Sequence, residues 1–315
     1  MQDILKSNTP AFVFDTAALK KRVAQIKEIV GETVSLCYSM KANPFFVPAM
    51  ITCVDKLEVC SPGELTICKK LGVDASRIIY SGVNKEIPDI KEAYEYGVGT
   101  FTAESVRQAD LTQQVVETAA AGEKAEVILR LNSGSQFGMS KEDLLTILQC
   151  RESKYTSLNF TGIHYFVGTQ RKRAKRKIKE LQMLLELFEE IQNKYGLKLK
   201  KLEYGPGFAV PYFEDDDFED TLYPVKELKD TLKQVAQQVD LTIEMGRFFT
   251  AECGTYYTNV ADLKTVGNAH YCILDGGMNH LTYLGQMMGM KTPIIKHHKN
   301  TSKQDERPEK NTWCL

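Results

Sequence analysis

The sequence predicts an α/β chain: a (β/α)8 TIM-like barrel followed by the start of a β-rich second domain. Three observations carry that expectation. Eight short apolar runs of strand character alternate with stretches of helical periodicity over most of the chain. Eight parallel strands are the number that closes a barrel. Chemically distinctive residues fall at the carboxyl ends of those runs, which in a barrel share one mouth. An open doubly wound sheet also alternates, but it rarely needs eight parallel strands in a row with chemistry at so many of their ends.

Taken in order, Phe12 to Phe14 reads as a strand contributed to the second domain. The barrel runs are Val34 to Ser39, Leu57 to Ser61, Ile78 to Ser81, Gly99 to Ala103, Glu126 to Asn132, Gly162 to Val167, Lys201 to Tyr204 and Asp240 to Glu244. Between the sixth and seventh, Ile178, Leu181, Leu184, Leu185, Phe188 and Ile191 recur at helical spacing, which predicts a barrel-packing helix over Lys175 to Tyr195. The basic run Arg171 to Lys177 at its start reads as a solvated face, with docking of an acidic partner as the alternative. After Arg247 the pattern changes to apolar runs at Thr255 to Asn259, Tyr271 to Leu274 and Ile294 to Ile295, without helices between them. The expected division is therefore a barrel over 26–250, with 1–25 and 251–315 forming a partial β domain. A polar tail over 300–311 and the closing Thr312-Trp-Cys-Leu315 make that domain read as incomplete.

Composition narrows the function classes. With 315 residues and 43% hydrophobic content the chain can bury one large core or two moderate ones. Forty basic residues against 41 acidic ones create no field that draws it to nucleic acid or to an anionic membrane, so small partners are expected. No run reaches the roughly 18 apolar residues of a membrane helix, and the amino terminus lacks the features of a signal peptide. The eight cysteines never form a CxxC pair and sit in apolar segments, as free thiols in a reducing cytoplasm would. The pair His297 and His298 lies in a polar stretch and reads as surface, and no metal site is expected.

Most informative is Val34-Ser-Leu-Cys-Tyr-Ser-Met-Lys41-Ala-Asn-Pro44, a strand that delivers Lys41 to its carboxyl end and stops at proline. A lysine there is either a solvated strand cap or, if burial disfavours its charge, a nucleophilic amine suited to Schiff-base chemistry. His164 points inward from an apolar strand, either to stack on a flat ring or as a satisfied core histidine. The Gly205-Pro206-Gly207 turn can expose backbone amides to a phosphate, although short glycine turns are common. Glu244 and Arg247 close an apolar strand, where a structural ion pair is one reading, and a buried glutamate needs a partner whatever its purpose. Arg130 adds an inward cation that serves either a ligand or an internal ion pair.

Together these residues resemble the barrel-type, fold type III pyridoxal-phosphate decarboxylases, the group of diaminopimelate, ornithine and arginine decarboxylases. The resemblance runs from Thr9 to about Asn279. It rests on Tyr38-Ser-Met-Lys-Ala-Asn43, Glu58-Val-Cys-Ser-Pro-Gly-Glu-Leu65, Phe137-Gly-Met139, His164 to Gln170, Gly205-Pro-Gly207, Glu244-Met-Gly-Arg247 and Asp275-Gly-Gly-Met278, in that order. It implies pyridoxal 5'-phosphate as cofactor, held by Lys41 as a Schiff base. His164 would stack on the ring and Glu244 would keep its nitrogen protonated. Gly205, Gly207, Gly246 and Arg247 would bind the phosphate region, with Gly168 and Thr169 nearby. Arg130 would reach the phenolic oxygen or a substrate carboxylate. Barrel-type alanine racemases place an arginine at the ring nitrogen, so Glu244 favours decarboxylation.

The chain also departs from that family. Pro206 stands where a third glycine is usual, and Met245 stands where a proline is usual. Asn279-His280 replaces the Arg-Pro that diaminopimelate decarboxylases use at the distal end of the substrate, which makes Asn279 and His280 the substrate-contact candidates. The segment is closer to diaminopimelate decarboxylase-like enzymes of biosynthetic clusters. The expected substrate is diaminopimelate, ornithine or lysine, or a carrier-protein-bound amino acid, handled by a cytoplasmic homodimer with a shared active site. The family's Cys-Glu-Ser-type motif would lie beyond Leu315, and Cys314 does not take its role. The alternative reading is a catalytically incomplete cofactor-binding or decoy subunit that pairs with a full-length relative.

Overall fold

The computed structural model describes residues 8–119, 124–216, 218–277, 279–281 and 294–296. The chain divides into two compact units, one formed by 16–210 and 220–251, the other by 1–15, 211–219 and 252–315.

Twelve strands are present among the described residues: β1 (Ala11–Phe14), β2 (Ser35–Ser39), β3 (Lys56–Val59), β4 (Ile78–Tyr80), β5 (Thr100–Ala103), β6 (Ala125–Arg130), β7 (Leu158–Phe166), β8 (Lys201–Gly205), β9 (Asp240–Met245), β10 (Gly254–Tyr257), β11 (Val260–Val266) and β12 (Ala269–Leu274). Strands β2 to β9 pair in parallel and close into a barrel, with Ser35 of β2 opposite Thr242 of β9. All eight barrel runs expected from sequence are strands of this sheet. Strand β7 begins earlier than expected, at Leu158. Leu158 and Phe160 are buried, and a bulge opposite Val127 and Ile128 lets the strand continue past Thr161 to Gly162. At Gly162 the neighbouring backbone comes so close that a Cβ would lie 1.9 Å from the Lys201 carbonyl, so only glycine fits.

The helices start and stop where capping chemistry directs them. Ser61, Ser105 and Ser140 accept hydrogen bonds from the backbone amides of Glu64, Gln108 and Asp143, satisfying donors that a helix start leaves unpaired. Gly196, at φ +63°, ends the helix Ala174–Tyr195 in the left-handed region that glycine tolerates. That helix buries Leu181, Leu184, Leu187, Phe188 and Ile191, each contributing roughly 1.5–3 kcal/mol relative to exposure. The helix Thr16–Val30 lies in the barrel unit, ahead of the expected boundary at residue 26. It buries Leu19, Val23 and Ile26, and Arg22 donates from Nε to the Phe248 carbonyl at 2.7 Å.

In the other unit β1 and β10 form one antiparallel pair and β11 and β12 a second. Strand β11 is not among the runs expected from sequence, and residues 294–296 are not a strand. His297, His298, Met278, Cys314 and the tail from 300 lie outside the described residues. No helix among the described residues is long and apolar enough to cross a membrane, and no cluster of His, Cys, Asp and Glu that could hold a metal occurs among them.

Candidate active site

Parallel strands buried on both faces direct alternate residues into the barrel, and here several inward positions are charged. Cys37, Ile79 and Ile128 form an apolar layer within it. Above and around them stand Glu58 of β3, Arg130 of β6, His164 of β7, Glu203 of β8 and Glu244 of β9, all buried.

Lys41 sits just past β2, in a 3-10 turn over Met40–Ala42. Its Nζ lies 3.1 Å from Glu58 Oε2 and 3.5 Å from Glu244 Oε1. The turn is fixed from behind: Tyr38 donates its hydroxyl to the Asn43 carbonyl at 2.7 Å, and Asn43 Oδ1 accepts from the Phe45 amide at 3.0 Å. Glu58 is itself held by the Ser39 hydroxyl. Burial pulls the Lys41 amine down, but Glu58 and Glu244 outweigh it and hold the amine well above the usual lysine range. Two carboxylates supply more stabilisation of the ammonium than desolvation removes.

Glu244 Oε2 is 3.1 Å from His164 Nε2. Burial pushes the Glu244 carboxyl up, yet Lys41 and His164 together hold it far below the usual carboxylate range. An ionised carboxylate only accepts, so His164 carries its proton on Nε2. Burial lowers His164, but Glu203 and Glu244 outweigh it and the imidazole is raised. His164 Nδ1 is buried and makes no hydrogen bond.

Arg130 forms an ion pair with Glu104, so the internal-pair alternative for it is the arrangement present. Its guanidinium carbon also lies 5.2 Å from the Phe137 ring centre and 5.9 Å from that of Phe166, whose other neighbour is Lys41 Nζ at 5.7 Å. The Phe137-Gly138-Met139 motif positions this arginine. Met139 donates to the Arg130 carbonyl at 2.9 Å, and Gly138, at φ +79°, leaves no room for a Cβ beside Leu131 and Asn132.

Gly168 and Gly207 approach so closely that a Cβ on Gly207 would lie 1.8 Å from the Gly168 carbonyl oxygen. The turns after β7 and β8 are thereby brought together, with Thr169 exposed beside them. Gly246 lies against the Lys41 turn, where an added Cβ would meet that of Ala42 at 2.7 Å, and Arg247 opens the short helix that follows β9. Asn279 and His280 belong to the other unit, in an exposed turn in which the His280 amide donates to the Gly277 carbonyl at 2.8 Å.

Sequence reasoning gave no role to Glu58, Glu104 or Glu203. The available signal was a single charge at an inward position of an otherwise apolar strand, as in Lys56-Leu-Glu58-Val. The arrangement fits pyridoxal phosphate on its own terms. It offers a lysine at the mouth, an ionised carboxylate beside it for a cationic ring nitrogen, a buried imidazole, and a tight glycine turn too narrow for side chains.

A family model described as "Pyridoxal-dependent decarboxylase, pyridoxal binding domain" matches residues 16–251. The L-glutamyl-[BtrI acyl-carrier protein] decarboxylase of Niallia circulans is 27% identical over 310 residues, covering 91% of this chain and 72% of that protein. The diaminopimelate decarboxylase of Aquifex aeolicus (strain VF5) is 27% identical over 292 residues, covering 87% of this chain and 67% of that one. The crystal structure of AQ1208 from Aquifex aeolicus matches with a TM-score of 0.78 at 26% identity, over 89% of this chain and 68% of that chain.

Proposed function

The chain belongs to the pyridoxal-dependent decarboxylase family, and from that premise we propose that it releases carbon dioxide from an amino acid whose side chain carries an amine or a carboxylate, free or held on a carrier protein. Its cofactor is pyridoxal phosphate. The observation that carries the reading is Glu244, which touches Lys41 through one oxygen and His164 through the other.

Bound pyridoxal phosphate supplies an electron sink for the pair left on the substrate's α-carbon when carbon dioxide departs. The chain's residues make that possible in separate ways. Lys41 must lose its proton before the amine can act as a nucleophile, and Glu58 Oε2 at 3.1 Å and Glu244 Oε1 at 3.5 Å hold that amine in place at the mouth. Glu244, held ionised, favours a proton on a ring nitrogen set against it. His164 is locked through Nε2 and presents a flat imidazole. Gly205, Gly207, Gly168 and Thr169, with Gly246 and Arg247, would receive the phosphate region through backbone amides and one cation. Arg130, steadied by Glu104, would meet the phenolic oxygen or a substrate carboxylate. Asn279 and His280 remain the candidates for the distal end of the substrate, and a homodimer with a shared site remains the expected assembly.

The printed activities of the two relatives frame the substrate test. Purified chain is mixed with pyridoxal phosphate, reduced with borohydride and peptide-mapped. Label on Lys41 is expected, and its absence there would overturn the reading. Labelled protein established, carbon dioxide release is measured from diaminopimelate, lysine, ornithine and glutamyl-carrier protein. The decoy reading is not favoured, because Lys41, Glu244 and His164 are all retained and in contact.

A further inference from the structure

From sequence the basic run at 171–177 reads as a solvated face, but in the structure Arg171 is half-buried and Lys177 is buried. Arg171 follows Gln170, which takes a left-handed backbone at φ +56°. That turn sends the Arg171 guanidinium inward to Glu180, with Nη1 at 3.0 Å from Oε2, and to the Pro206 carbonyl at 3.4 Å. The Arg171 amide donates to the Gly207 carbonyl at 2.9 Å. Tyr204, two residues before Pro206, donates its hydroxyl to Glu180 Oε2 at 2.7 Å. Lys177, buried against the Phe208 ring, donates to the Arg171 carbonyl at 2.7 Å. Gln170 adds two bonds across the same gap, from Nε2 to the Val210 carbonyl and from the Val210 amide to Oε1.

The bonds from Arg171 to Pro206 and Gly207 and those between Gln170 and Val210 tie the turn after β8 to the turn after β7, and Glu180 links Arg171 to Tyr204 of β8. The tie matters because Pro206 has no amide hydrogen. Gly205-Pro206-Gly207 therefore offers a phosphate fewer backbone donors than a turn of three glycines would, and the donors that remain must be well placed to compensate. A proline also fixes its own φ, so this turn is stiff but needs its direction set from outside.

We propose that Arg171, Glu180 and Tyr204 form a brace that positions the Gly205-Pro206-Gly207 turn for the cofactor's phosphate, so that this chain secures the phosphate by rigidity where it lacks an amide. Arg171 and Tyr204 are positioning residues, since they act through the turn's carbonyls and through Glu180. The proposal rests on the pyridoxal-phosphate reading of the site.

Its test compares two ligands that differ only in the phosphate. Dissociation constants of pyridoxal phosphate and of pyridoxal are measured by absorbance on wild-type, Tyr204→Phe and Arg171→Met protein, alongside thermal midpoints. Tyr204→Phe removes one hydroxyl and keeps the ring, so it preserves the packing if Arg171→Met does not fold. The expected result is a loss of about 5- to 30-fold for pyridoxal phosphate, with pyridoxal changed less than about twofold. Inorganic phosphate should compete with pyridoxal phosphate correspondingly less well in the variants. Equal losses for both ligands would make the network merely structural and overturn the proposal, as would unchanged affinity for both. Failure of wild-type protein to bind either ligand would instead count against the cofactor reading itself.

Discussion

Glu203 is expected to make the barrel less stable as pH rises through neutrality, and Glu203→Gln should remove that slope. The carboxyl is 2% exposed, and neither oxygen has a hydrogen-bond partner. It sits opposite His164 on β7 and Thr242 on β9, with Glu244, Glu58, Lys56 and Cys37 also facing it. Burial pushes it up most strongly, His164 pulls it down, and Glu244 and Glu58 push it up again, from an ordinary 4.5 to about 7. A raised carboxyl binds more protons folded than unfolded between those two values. Its contribution to stability is therefore present below pH about 4.5 and is lost as pH rises to about 7. At 1.36 kcal/mol per unit the full loss is about 3 kcal/mol. Glu203 is also one of the charges that raise His164, so the glutamine variant forfeits part of that interaction, and its net advantage at pH 8 should be about 1–3 kcal/mol. Urea midpoints followed by far-ultraviolet circular dichroism at pH 5, 6, 7 and 8 measure it. A variant-minus-wild-type difference that stays flat across that range, or grows toward acid, would refute the reasoning.

Three further outcomes follow from the geometry. Lys41→Ala should abolish the borohydride-fixed label on the protein, and retained decarboxylation in that variant would sink the assigned chemistry. Glu244→Ala should lower kcat by about 100-fold or more while cofactor affinity changes by less than about tenfold, separated by single-turnover rates and direct titration. Glu104→Gln should destabilise the barrel by about 3 kcal/mol, because Arg130 at 8% exposure is left without its carboxylate; a thermal midpoint within a degree of wild type would contradict this.

How far the sequence could be read depended on what kind of signal each residue sends. The barrel strands were legible because two-sided burial makes each a nearly continuous apolar run, and because Asn43-Pro44 and Gly205-Pro206 punctuate strand ends sharply. Lys41, His164 and Glu244 were legible as a set because their strand-end positions converge on one mouth. The charge state of Lys41 was not, since it depends on Glu58 and Glu244 arriving from β3 and β9, far apart in sequence. Arg171 and Lys177 were lost inside a run of seven mostly basic residues, where the Gln170 backbone turn sends Arg171 inward and the helical stripe of Ala174, Leu181 and Leu184 takes Lys177 with it. Strand β11 carried little signal because most of its residues are exposed, so no apolar face announces it.

The carboxylates of the site argue for how the cofactor is received. Glu244 is fully enclosed and ionised, a state that costs several kcal/mol unless cations stay beside it. In the protein by itself its neighbours are the Lys41 ammonium at 3.5 Å and the His164 imidazole at 3.1 Å. With pyridoxal phosphate bound, a protonated ring nitrogen beside Glu244 would supply a cation in place of the Lys41 ammonium. Glu58, held by the Ser39 hydroxyl, stands on the other side of Lys41. Two carboxylates around one lysine thus divide the work: Glu58 anchors the amine, and Glu244 would select for a ligand that arrives with a positive ring.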